Sequence, residues 1–242
     1  MIGDGTLVVV ATYNERENLE ALASQVFENA PGCHLLVVDD NSPDGTGEIA
    51  HRMSALDDRV EVLDRPTKLG LGTAYMAGFS YALARDHARV VTMDADFSHH
   101  PRYLPAILNR ADGAGIDLVI GSRYVPGGGV VGWSIQRRLL SFGANMFARL
   151  LLGLRTHDNT GAYRCYSRRL VAELDSHRVV SNGYSALIEI IWQCQRVSSG
   201  IAEIPIVFAD RELGQSKVSR TEIFRGLTTV LRLRFGRVRA SL

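Results

Sequence analysis

Asp94 and Asp96, in the segment VVTMDADFSHHP, stand on either side of Ala95 at the end of an apolar run. Like charges that close together repel unless a cation sits with them. A hard divalent ion, Mg2+ or Mn2+, accepts carboxylate oxygens and keeps positions open for phosphate oxygens, so the pair predicts metal-assisted phosphate chemistry. His99 and His100 follow at once, but adjacent histidines lack the i, i+4 spacing of a helical metal pair and are read as structural or as supports behind the carboxylates. Cations suited to phosphate come later: Arg123 in GSRY, Arg137 and Arg138 in SIQRRLLS, and Arg211 with Lys217 flanking Gly214 in DRELGQSK. The planar guanidinium fork matches two phosphate oxygens at once, which suits a diphosphate facing a second phosphate.

Earlier polar segments supply a second set. In TYNE, Thr12 to Glu15, a side chain could meet a ligand or cap the next helix. VVDDNSPDGT places Asp39, Asp40 and Asp44 after the second apolar run. An acid there commonly accepts hydrogen bonds from a ribose or base, while Ser42 to Gly45 also read as an ordinary turn. RPTKLGLGTAY sets Gly70 and Gly72 ahead of a helix and beside Lys68. Backbone N–H groups at a helix start can hold an anion, although the spacing is neither a Walker loop nor GxGxxG.

The elements that must carry these residues follow from hydrophobic rhythm. Between residue 6 and about residue 122, the runs TLVVVA, HLLVVDD, RVEVL, RVVTMDAD and IDLVIGSR alternate with helical patterns. That is the βαβ order of a mostly parallel, Rossmann-like sheet with helices on both faces, whose ligands bind at the carboxyl ends of the strands. A glycine-rich loop, VPGGGVVGW, then leads into a helix from Ile135 to Leu152, whose Ile135, Leu139, Phe142, Met146 and Leu150 recur at helical spacing and are expected to pack on the core. After DNTGAYRCYS come helical patterns near 168 to 174 and 184 to 198, a strand IAEIPIVF, and a final helix from about 220 to 235. These later elements are expected on the acceptor side of the same sheet. The last helix aligns Ile223, Leu227, Val230 and Leu231 on one face, with Arg225, Arg232 and Arg239 elsewhere, the form of a basic interfacial helix or of an amphipathic helix docked on the core. The expected division is therefore a catalytic domain over 1–220 and a C-terminal basic helix over 221–242.

Composition narrows the class. In a chain of 242 residues, 46% hydrophobic and 22% charged excludes a disordered polypeptide and fits one domain with appendages. Lys and Arg at 27 against Asp and Glu at 26 argue against a dedicated nucleic-acid binder. Cys33, Cys165 and Cys194 are far apart and lack CxxC spacing, so reduced buried thiols and a cytosolic setting are expected. The amino terminus does not read as a signal peptide, and no run approaches the roughly 18 apolar residues of a spanning helix.

With TYNE, VVDDNSPDGT, KLGLGTAY, MDADFSHHP, GSRY, WSIQRRLLS and DRELGQSK in this order, the sequence resembles the polyprenyl-phosphate (dolichol-phosphate) mannose synthases, family-2 glycosyltransferases of the GT-A fold, over about residues 6 to 220. The resemblance implies inverting transfer of mannose from GDP-mannose to a polyprenyl or dolichyl phosphate, with release of GDP. It further implies that Ala11, Thr12, Tyr13, Glu15, Val38, Asp39, Asp40, Asp44, Lys68, Asp94 and Ala95 form the donor-nucleotide site. Asp94 and Asp96 would hold Mg2+ or Mn2+. Ser98 stands where some relatives have a glutamine ligand, so its coordination is in doubt. Arg123, Arg137, Ser141, Arg211 and Lys217 would take the acceptor phosphate, and Asp96, Arg123, Arg211 and Lys217 would be the catalytic set. Implied partners are the two substrates, the cytoplasmic face of a membrane contacted peripherally, and a membrane-anchoring subunit of the kind some relatives recruit. Ala11 replaces the proline that many relatives carry before TYNE, a change in loop stiffness more than in chemistry. The alternatives are a polyprenyl-phosphate glucosyl or N-acetylglucosaminyl transferase on the same fold, or a catalytically silent nucleotide-binding subunit.

Overall fold

The computed structural model describes residues 1–176, 179, 181, 183, 185–210 and 220–236. The first half is the alternation expected of its sequence: β1 (Thr6–Thr12), α1 (Leu19–Asn29), β2 (His34–Asp39), α2 (Thr46–Leu56), β3 (Val60–Asp64), α3 (Leu71–Ala84), β4 (Arg89–Asp94), a 3-10 turn (Pro101–Tyr103), α4 (Leu104–Ala111) and β5 (Leu118–Ser122). There follow β6 (Gly129–Val131), α5 (Ile135–Leu152), β7 (Arg164–Ser167), α6 (Arg168–Ser176), α7 (Ser185–Val197), β8 (Ile201–Pro205), β9 (Val207–Ala209) and α8 (Arg220–Phe235).

The main sheet has the order β3-β2-β1-β4-β7-β5-β8, and β6 pairs with β9 in a separate ribbon. Successive strand side chains point to opposite faces, and both faces here are covered. Leu7 and Val9 of β1 join a core with Tyr75 and Phe79 of α3 and Ile190 and Ile191 of α7. Val8 and Val10 join the opposite core with Leu19 and Leu22 of α1 and Leu104 and Ile107 of α4. Strands buried on both sides explain why their sequences read as unbroken apolar runs.

From β1 the chain moves outward through β2 and β3, then returns to place β4 on the other side of β1. The crossovers diverge at that boundary and leave a crevice at the carboxyl ends. Register makes the crevice concrete: Ala11 lies opposite Asp94, and Thr12 opposite Asp39.

The structure departs from the sequence reading in four places. RCYS, unassigned within DNTGAYRCYS, is β7, and it pairs antiparallel with both β4 and β5. IAEIPIVF is broken at Ile206, whose N–H donates to the Ser122 carbonyl and whose carbonyl accepts from Gly129, so β9 leaves the sheet to pair with β6 inside the glycine-rich segment. Gly72 lies within α3 rather than ahead of it. A Cβ there would sit 2.3 Å from Cβ of Ala186, so close packing of α3 on α7 requires the glycine. The apolar side of α5 is not core: Ile135 is 76% exposed, Leu139 66% and Leu150 74%, and within the helix only Asn145 and Ala148 are buried.

α8 docks on this body. Val230 and Leu233 are buried, and Arg232 Nη2 donates to the buried carboxylate of Glu189 on α7 at 2.8 Å. Cys33, Cys165 and Cys194 are free and buried, and burial pushes each thiol up to about 12.

Candidate active site

Among the described residues four non-glycine positions have positive φ, and three lie at the carboxyl edge: Asn14 (63°) after β1, Asn41 (57°) after β2 and Phe97 (61°) after β4. Asparagine tolerates this region, but a phenylalanine there costs on the order of 1–3 kcal/mol and has to be held by its surroundings. The hold is visible beside it, where Ser98 donates to Asp96 Oδ1 from its N–H (3.0 Å) and its hydroxyl (2.5 Å). Ser98 is thus a support for the Asp96 carboxylate in this state.

Asp94 and Asp96 both line a cavity of about 470 Å³, together with His99, Arg123, Trp133 and Arg137. His99 is buried, and its Nδ1 lies 3.2 Å from the Asp94 backbone N and 3.3 Å from Asp94 Oδ2. Burial lowers its pKa to about 4, against the pull of Asp96, and the imidazole is neutral at ordinary pH. His100 Nδ1 accepts from Arg102 N–H and caps the 3-10 turn.

Among the described residues no group of three His, Cys, Asp or Glu could hold a metal alone. The donor set still fits a hard cation that draws its other ligands from phosphate and water, since Asp94, Asp96 and Ser98 offer oxygen only.

At the ends of β1 and β2 the polar residues are already engaged. Asp39 Oδ1 accepts the hydroxyls of Thr12 (2.8 Å) and Ser42 (2.6 Å). Asp40 is buried in an ion pair with Arg65 at 2.8 Å and accepts Gly70 N–H at 3.1 Å, which ties the KLGLG loop to β2. That contact occupies the Gly70 N–H. Asp44 takes the Thr46 N–H and hydroxyl and the Arg16 N–H, the turn reading of its segment. Burial alone would raise its carboxyl, but these bonds hold it below the usual range. Val38, Ala95 and Thr12 are buried, and the Thr12 hydroxyl is taken by Asp39. Ala11 is half-buried within β1. Glu15 receives the Asn18 amide, and Lys68 sits over the Tyr13 ring at 3.7 Å, a cation and an aromatic face at the open mouth of the crevice.

In the same cavity, Arg137 Nη1 contacts both oxygens of Asp210 (2.9 and 3.0 Å) and its guanidinium lies 4.1 Å from the Trp133 ring centre. Arg138 donates to the Val130 carbonyl, and Tyr124 hydroxyl donates to Ser141, which also lines the cavity. Arg123 is buried and bonded to Asp158 at 2.6 Å. Arg211 and Lys217 lie outside the described residues. From its charged end the cavity runs between α5 and α8, past Leu139, Gly143, Phe147, Gly226, Leu227 and Val230.

Sequence reasoning missed Asp158, Thr160, Asn145, Trp133 and Asp210. Trp133 and Asp210 open the quoted segments WSIQRRLLS and DRELGQSK; for Asp158 and Thr160 the only signal was the cluster of short polar residues in DNTG, and no spacing rule links it to Arg123, 35 positions earlier.

Fold, switch-point crevice and paired carboxylates define a nucleotide-dependent glycosyltransferase architecture, and residues 7–175 match the family described as Glycosyl transferase family 2. The chain belongs to that family. Within it, the chain is 48% identical over 219 residues to the polyprenol monophosphomannose synthase of Mycolicibacterium smegmatis, covering 90% of this chain and 82% of that one. It is 41% identical over 226 residues to the undecaprenyl-phosphate mannosyltransferase of Micrococcus luteus, covering 93% and 92%. Among solved structures, glucosyl-3-phosphoglycerate synthase of Mycobacterium tuberculosis, in complex with Mn2+, UDP and its product, superposes with a TM-score of 0.68 at 19% identity, covering 96% of this chain and 80% of that one. The same enzyme has been solved with Mg2+ and UDP. This likeness establishes the GT-A fold.

Proposed function

We propose that the protein transfers mannose from GDP-mannose to a polyprenyl phosphate, with inversion at the sugar carbon and release of GDP. The observation that carries this reading is one cavity with two chemically different ends. Asp94, Asp96, Arg123 and Arg137 line one end and the apolar side chains of α5 and α8 the other. A phosphate on an isoprenoid chain has the same two halves. The names of the two mannosyltransferase relatives support the sugar and the acceptor.

The chemistry needs no strong base. A phosphate monoester has a second pKa of about 6, so the acceptor oxygen is already anionic at neutral pH. The task of the chain is to align that oxygen with the sugar carbon and to compensate charge. Arg123 and Arg137 hold the acceptor phosphate on the face of the sugar opposite the diphosphate, and Arg211 and Lys217 add positive charge from the following segment. Tyr13, Glu15 and Lys68 border the nucleoside. Asp94 and Asp96 would hold Mg2+ or Mn2+, which would supply charge neutralisation to the departing diphosphate when bound. Attack forms the C1–O bond to the acceptor phosphate as the C1–O bond to GDP breaks.

No described helix is long and apolar enough to cross a membrane. The exposed apolar residues of α5 and α8 instead suit peripheral contact with the bilayer that holds the acceptor, with Arg225 and Arg234 of α8 drawing it to anionic lipid. The test is purified protein with labelled GDP-mannose, polyprenyl phosphate and Mg2+ or Mn2+, with and without vesicles. Label should enter a lipid-soluble mannosyl phosphate as GDP appears, and excess UDP-glucose or UDP-N-acetylglucosamine should not compete. No transfer, or preference for a uridine donor, refutes the reading.

A further inference from the structure

Asp158 is fully buried, and its carboxylate accepts four hydrogen bonds. Oδ1 takes Arg123 Nη2 (2.6 Å) and Gly161 N–H (3.0 Å), while Oδ2 takes Arg123 Nε (2.7 Å) and Arg123 N–H (3.0 Å). Thr160 Oγ1 accepts from Arg123 Nη2 at 2.8 Å. Nε and both N–H groups of Nη2 are therefore spent on the 158–161 loop. The two N–H groups of Nη1, on the edge turned away from Asp158, have no acceptor among the described residues. Arg123 itself lines the cavity beside Asp94 and Asp96.

The loop is braced from three sides. Glu203 of β8 accepts the N–H of His157 (2.8 Å) and of Asp158 (3.0 Å). Buried Asn145 of α5 accepts Asn159 N–H at 2.7 Å and donates to Thr160 Oγ1 at 3.1 Å. Arg164 of β7, also fully buried, donates to the carbonyls of Asn159 and Leu187. At Gly161 a Cβ would approach Asp158 Oδ1 to 3.2 Å, so the glycine allows the loop to close on the carboxylate. In charge, buried Arg123 and Arg164 flank Asp158, while Asp94 and Asp96 line the same cavity as Arg123. Nη1 is not among the fully enclosed atoms that lack a partner, so its edge reaches the open cavity rather than a dry interior.

We infer that Asp158 is a positioning residue: with Thr160 it fixes the Arg123 guanidinium so that its Nη1 edge is presented to the acceptor phosphate. The inference rests on the reading above that Arg123 serves that phosphate. A bidentate carboxylate holds both the place and the plane of the fork, and misplacement of a reacting group by about 1 Å can cost about 100-fold in rate.

The test compares Asp158→Asn, Thr160→Val, Arg123→Lys and the double variant Asp158→Asn/Arg123→Lys. Asp158→Asn should lower kcat/KM for polyprenyl phosphate by about 100-fold and Thr160→Val by about 5-fold, while calorimetric affinity for GDP stays within about 3-fold of the parent. The double variant should be no more than about 2-fold worse than Arg123→Lys, because the carboxylate acts through the guanidinium. Acceptor kinetics of Asp158→Asn and Thr160→Val equal to the parent, with only a lowered Tm, overturn the positioning role, as do losses that multiply in the double variant. Should Asp158→Asn not fold, Thr160→Val decides alone, with unchanged acceptor kinetics overturning the inference. If Arg123→Lys itself keeps parental acceptor kinetics, the phosphate role of Arg123 is wrong and the inference falls with it.

Discussion

Asp96 keeps its place because Ser98 N–H and hydroxyl both close on Oδ1, at the cost of a left-handed Phe97. Strain of that kind persists where the surroundings over-determine it. Asp96→Ala should reduce kcat by at least about 1000-fold, equivalent to about 4 kcal/mol of transition-state stabilisation, even at saturating Mn2+. A steady-state assay across metal concentration checks this, and near-normal turnover would refute the metal assignment. Arg137 is poised differently, since Asp210 already holds it on the Trp133 ring. On the proposed reading, a phosphate at Arg137 would compete with that carboxylate. Arg137→Ala should therefore raise KM for the acceptor by about 10-fold while GDP affinity is unchanged. Initial rates over acceptor concentration, with GDP titrated by calorimetry, separate the two.

At the scale of elements, α8 is held by a buried polar link as well as by apolar contact. Glu189 is buried, accepts Ser181 N–H and pairs with Arg232, whose guanidinium also donates to Ser181 Oγ. Arg232 is itself part-exposed, so its removal costs less than the loss of a fully buried partner. Arg232→Ala should destabilise the protein by about 2 kcal/mol, read as a lowered urea midpoint at constant slope. The outward residues of α5 and α8 carry no such load. Ile135→Glu with Phe224→Glu should leave the urea midpoint unchanged and reduce partitioning to anionic vesicles by at least about 10-fold in a flotation assay. Equal partitioning of parent and variant would rule out membrane contact through these helices.

For the whole molecule, the buried charges set the response to acid. Burial alone would raise the Asp158 carboxyl, but the charge and hydrogen bonds of Arg123, with Arg164 nearby, hold it below its ordinary value of 3.8. A depressed carboxyl contributes stability that is present above the unfolded-state pKa and lost as pH falls through the folded one. Below about pH 4, then, Asp158→Asn should lose less stability per pH unit than the parent, measured as urea midpoints over an acid series. Much of this molecule was legible in its residues. Unbroken apolar runs from Thr6 to Ser122 determined a doubly covered sheet, because only strands buried on both faces dispense with alternation. Their acidic endings, Asp39 and Asp94, located the crevice, because strand ends are where such a sheet leaves polar groups uncovered. The bounds of α5 followed from its periodicity, but the surface it faces did not, since an apolar stripe looks the same toward a core or a membrane. Other features depended on distant partners. β7 is a strand because β4 and β5 flank it. Asp40 was given to Arg65, and Asp158 became the partner of Arg123 although nothing in DNTG refers to a residue so far away in the chain. Local sequence determines periodicity and polarity; which charges meet in the interior is decided when the chain closes, by the electrostatic need to pair what burial has taken from water.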